Sequence, residues 1–133
     1  MLYAMFSLSM LTIFVGLIVV RARFISVKNS RMSADYLELM QGQTVPDEVI
    51  KTTRCFNNLF EVPVLFYVAC TLYIALGIES LAAVVIAWLF VIFRAAQAYI
   101  HITHNNVRQR MLAFGMSVLC VLFLWSNLLL LKI

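Results

Sequence analysis

Arg54, Asn58 and Glu61 stand at i, i+4 and i+7, a spacing that puts all three on one face of a helix. A guanidinium, an amide and a carboxylate descending one face through apolar neighbours form an unusual set to bury, because ionisable groups inside a membrane span are expensive and commonly mark a polar pathway or binding site. The structural alternative is that Glu61 pairs with Arg54 or Arg94 to fix helix packing. A second stripe follows: Arg94, Gln97, His101, His104 and Arg108 step by three and four residues. Helical throughout, Arg94 to Arg108 would cover about 21 Å. Two stripes open to the same side predict a polar pocket between apolar walls, rich in arginine and amide and suited to holding carboxylates or a thiolate. For His104 to Arg110 alone, a solvated helix end is the simpler reading.

Other chemistries find little support. His101 and His104 have the spacing of a metal pair, but no carboxylate or cysteine stands nearby in sequence to complete a ligand set. No metal site is expected. Nucleophile elbow, phosphate loop and H-E-x-x-H patterns are all missing. Cys55, Cys70 and Cys120 form no CxxC pair and no even framework, and they read as packing thiols.

The elements that must position these stripes are membrane spans. Of 133 residues, 64% are hydrophobic and 12% charged, more apolar surface than a soluble domain of this size can hide. A transmembrane helix takes about 20 mostly apolar residues, so the length fits four spans, expected at about residues 2–24, 45–77, 81–104 and 110–131. The expected fold is an all-α integral membrane four-helix bundle forming a single domain over residues 1–133, with the lipid bilayer as its first partner. The first span lacks a preceding charge and a small-residue cleavage site and reads as a retained helix. Along it Ser9, Thr12 and Gly16 line one side, where small residues let a neighbouring helix approach.

Residues 26–43 form the only long loop, with Lys28, Arg31, Asp35 and Glu38. It ends in helix-start signals: Thr44 as N-cap, Pro46 in the first turn and Asp47 three residues after the cap. Pro63 predicts a kink in the second span, and Gly77 to Ser80 a tight turn. Lys and Arg gather around loops 1 and 3, against Lys132 alone on the other side, which makes loops 1 and 3 cytoplasmic. Both termini and the Glu79 turn then face outward. The net charge of +4 belongs to these flanks rather than to a basic run, so nucleic acid is not expected as a partner.

The segments "VRAR", "RCFNNLFEVPVLF" and "RAAQAYIHITHNNVRQR" together resemble the MAPEG family, the membrane-associated proteins of eicosanoid and glutathione metabolism, and in particular its bacterial members. Arginine, asparagine and glutamate at this spacing, followed by proline, are the most specific part. The resemblance implies a homotrimer in the bacterial inner membrane, binding glutathione between subunits and admitting an apolar substrate from lipid. It implies transferase, peroxidase or isomerase chemistry, or the non-catalytic lipid presentation that one branch performs. Carried over by position, Arg54, Asn58, Glu61, Arg94, Gln97 and His101 become glutathione-binding residues, and Arg108 and Arg21 the candidates for activating the thiol. His101 and Gln97 depart from the pattern, standing where the eukaryotic glutathione enzymes have tyrosine, or at the latter position tyrosine or histidine. Pro63 also follows Glu61 one residue sooner than in them.

Overall fold

The computed structural model describes residues 1–33 and 45–132. Within them five helices form four spans: α1 (Leu2–Lys28), α2 (Asp47–Asn58), α3 (Val62–Ala75), α4 (Leu81–Ile102) and α5 (Val107–Lys132). By length and hydropathy four segments can cross a membrane, with α2 and α3 together supplying the second, Asp47–Ala75. The expected Thr44 cap and the loop residues Asp35 and Glu38 lie outside the described residues.

Chain chemistry sets each boundary. Pro46 occupies the N-cap position of α2, two residues after the expected cap, and Asp47 and Glu48 fill the first turn, where carboxylates complement the helix dipole. Pro63 does more than kink the second span. Its ring lacks an N–H and would collide with the carbonyl of Leu59 if the helix continued. The chain therefore breaks: Leu59 and Phe60 close a turn onto Phe56 and Asn57, and α3 restarts with Glu61 as its N-cap residue and Pro63 in its first turn. Gly77, at φ +63, closes α3 with the paired bonds Gly77 N–H to Ile74 O and Ile78 N–H to Tyr73 O, the six-to-one closure that favours glycine. Ser80 then caps α4, its Oγ accepting from Ala83 N–H at 3.3 Å.

The third loop corrects the expected stripe. α4 ends at Ile102, Asn105 takes a left-handed φ of 49, and Asn106 Oδ1 accepts from Arg108 and Gln109 N–H, starting the next helix at Val107 instead of 110. Arg108 thus belongs to α5 and does not end a continuous α4 stripe.

Inside, Leu8, Phe66, Tyr73, Phe90 and Leu124 are buried in one apolar cluster, with the Phe66 and Phe90 rings stacked at 4.3 Å. The small-residue side of α1 does face protein: Ser9 Oγ meets Tyr67 Oη at 3.1 Å, and Gly16 lies against the Phe56 ring. Leucine and phenylalanine side chains on the outside remain exposed, as a lipid-facing surface requires.

Candidate functional site

Arg94 sits fully buried in α4, its guanidinium 5.5 Å from the centre of the Phe90 ring and 5.1 Å from that of Phe114. One helical turn on, Gln97 accepts from Arg94 Nη1 at 2.8 Å. A further turn brings His101, which is 2% exposed. Among the described residues, Arg94 Nε and Nη2 and His101 Nδ1 are buried without a hydrogen-bond partner. Each such group costs about 1–3 kcal/mol, so this cluster favours an acceptor that brings negative charge.

Cys55 and Asn58 of α2, with Leu59 just beyond it, close over Arg94, Gln97 and His101, leaving a crevice too narrow for water. The Cys55 thiol points at Ala98 O, 3.9 Å away, and all three cysteines are buried and free. Two open clefts flank the crevice. One, of about 350 Å³, is lined by Asp47, Lys51, Arg54, His101, Asn105 and Arg110. The other, of about 270 Å³, is lined by Asn58, Glu61, Gln97, Arg110, Met111 and Phe114. The first gathers positive charge; the second offers a carboxylate, two amides and an apolar wall.

Six of the expected residues are therefore brought together, though not in the expected way. Arg54 and Asn58 share a face of α2, where Asn58 Nδ2 donates to Arg54 O at 3.1 Å. Glu61 lies beyond the end of α2 and does not extend that face; it reaches the second cleft because the break re-aims the chain. Among the described residues its carboxylate has no ion pair, so neither Arg54 nor Arg94 is its salt-bridge partner. Arg21 and Arg108 are exposed and line none of these three spaces.

Sequence reasoning missed Arg110. A signal was present: Arg110, Ala113, Ser117 and Val121 recur at three and four residues along α5, and the last three are buried. Projecting the stripe of α4 through the loop hid that register. Lys51 was also overlooked, because basic residues near a helix end are usual topology signals.

Fold and site together define an integral, multi-pass membrane protein whose four spans enclose a cation-rich polar site. The MAPEG family model matches residues 1–130, and the chain belongs to the MAPEG family. No curated protein and no solved structure gives a significant match.

Proposed function

We propose that this protein is a membrane-bound, glutathione-dependent transferase or peroxidase acting on an apolar electrophile or a lipid hydroperoxide. The observation that carries the reading is the pair of clefts meeting at Arg110, one cationic and one bearing Glu61 and two amides. Glutathione has carboxylates, an ammonium and peptide amides on one short chain, and the two clefts offer complementary groups for each. The Arg94 guanidinium lines the closed crevice beside the two clefts, and its buried positive charge favours an anion nearby. Membership of a family of glutathione and eicosanoid metabolism points the same way.

In this reading Arg54 and Lys51 hold carboxylate, Glu61 takes the amino group, and Asn58, Gln97 and His101 bond the peptide groups. Glutathione supplies the thiol that attacks the electrophile or reduces the hydroperoxide. A free thiol is mostly protonated at neutral pH, and an adjacent guanidinium favours its anion. Met111 and Phe114 offer the apolar substrate a wall beside that sulfur. The protein acts as a single transmembrane domain and as a homotrimer, with loops 1 and 3 and the site facing the cytoplasm of a bacterial inner membrane.

A second reading, lipid binding without catalysis, draws on an apolar groove of about 390 Å³ between α1 and α2, lined by Ile13, Leu17, Val20, Phe56 and Phe60 with Arg23 at one end. Calorimetric titration of glutathione into the detergent-solubilised protein separates the two. The enzyme reading expects saturable binding that Arg54→Ala weakens by about 1.5–3 kcal/mol, the range for a hydrogen bond to a charged group. No heat above dilution would favour the lipid reading.

A further inference from the structure

We infer that Asn105 is a positioning residue for the two open clefts, holding the Arg110 side chain at the place where they meet; this rests on the glutathione reading above. The first ground is the backbone. Asn105 has a left-handed φ of 49, a conformation that residues other than glycine seldom adopt. Its N–H donates to Ile100 O at 2.7 Å and closes the last turn of α4. That closure uses only main-chain atoms, and glycine would adopt the same φ at less cost. The turn by itself therefore gives no reason for a side chain at this position.

The second ground is what the side chain does. Asn105 Oδ1 accepts from Arg110 Nη1 at 2.8 Å, and among the described residues that is the one hydrogen bond of the Arg110 side chain. The bond crosses the break between α4 and α5, so the turn that ends one helix also fixes a side chain in the first turn of the next.

The third ground is where that side chain lies. Arg110 is common to both open clefts, and a ligand that reaches from Arg54 to Glu61 must pass it. A long side chain free to turn has to be ordered each time a ligand binds, which costs affinity. The bond to Asn105 orders it beforehand and leaves the other guanidinium donors to the ligand. A neutral amide suits this task, because a carboxylate in its place would compete with the ligand's own carboxylates for the guanidinium.

Asn105 also lines the cationic cleft, so holding Arg110 must be separated from touching the ligand. Calorimetric titration of glutathione into the detergent-solubilised protein, with thermal unfolding of each sample, does this for the wild type, Asn105→Gly, Arg110→Gln and the double variant. Asn105→Gly keeps the turn and removes the acceptor. It should unfold at nearly the wild-type temperature yet bind glutathione about three- to tenfold more weakly, the scale of ordering one long side chain on binding. Arg110→Gln should weaken binding at least as much. Adding Asn105→Gly to it should change nothing further, because residues that act through one another are not additive. Unchanged affinity in Asn105→Gly or in Arg110→Gln would overturn the inference. Losses that add in the double variant would make Asn105 a direct ligand contact, and a large fall in the unfolding temperature of Asn105→Gly would make its role structural; either result overturns it as well. In all these cases the wild type still binds glutathione and the parent reading survives; a wild type that binds none defeats both.

Discussion

Among the described residues, Gln97 is the single hydrogen-bond acceptor of the buried Arg94 side chain, at 2.8 Å from Nη1. A guanidinium with two of its three nitrogens unpaired depends on that one amide and on the Phe90 and Phe114 rings. Gln97→Leu should therefore lower stability by about 1.5–3 kcal/mol, because it leaves the charge buried with no acceptor. The double variant Arg94→Met with Gln97→Leu should recover most of that loss, since removing both partners together leaves no uncompensated charge. Thermal unfolding of the four members of this cycle in detergent measures the coupling. Additive losses would mean the 2.8 Å bond contributes little.

Tyr73 makes the complementary case at the other end of the bundle. Its hydroxyl donates to Asn127 Oδ1 at 2.8 Å and lies 3.1 Å from Leu124 O, joining α3 to α5. Tyr73→Phe should cost about 1 kcal/mol of stability and leave glutathione binding unchanged, since Tyr73 lines none of the three spaces around Arg94. Unfolding and calorimetry on one preparation check both halves.

Gly16 lets α1 approach α2. A Cβ there would stand 3.1 Å from Phe56 Cε2, a gap that a small rotation of the ring can widen. Gly16→Ala should be nearly neutral, whereas Gly16→Leu should destabilise by about 1–3 kcal/mol through overpacking. Equal stability of the two would show that the α1 to α2 contact is looser than this geometry.

Residue pattern alone carried the number of spans and the polar character of α2 and α4, because lipid imposes long apolar runs that composition displays directly. It carried Arg94, Gln97 and His101 as one cluster, since all three lie on a single unbroken helix. It failed where the backbone changes direction. Helical spacing assigned Glu61 to the Arg54 face and Arg108 to the His101 face, but Pro63 and Asn105 each interrupt the register between those residues. Arg110 was hidden for the same reason: its neighbours across the cleft, Glu61 and Arg54, come from other elements.

Cysteine labelling tests the orientation of the chain. Ser30, Glu79 and Gln109 are all exposed, so cysteines placed there should react freely. Ser30→Cys and Gln109→Cys should be labelled from the cytoplasmic side and Glu79→Cys from the opposite side, as the basic residues around loops 1 and 3 require. Labelling of Ser30→Cys and Glu79→Cys from one side would contradict four spans.

Glutathione consumption by the purified protein in liposomes, with a lipid hydroperoxide or a chlorodinitrobenzene as acceptor, tests the enzyme reading most directly. Turnover requires that the thiol be held, ionised and brought to an apolar partner, and in the proposed function the ligand is held in the two clefts that Arg54 and Glu61 line. Consumption should rise in proportion to protein, saturate with glutathione and fall at least about tenfold in Arg54→Ala at subsaturating glutathione, the effect of losing a charged hydrogen bond. Folded protein that consumes no glutathione above the uncatalysed rate with either acceptor would contradict the account.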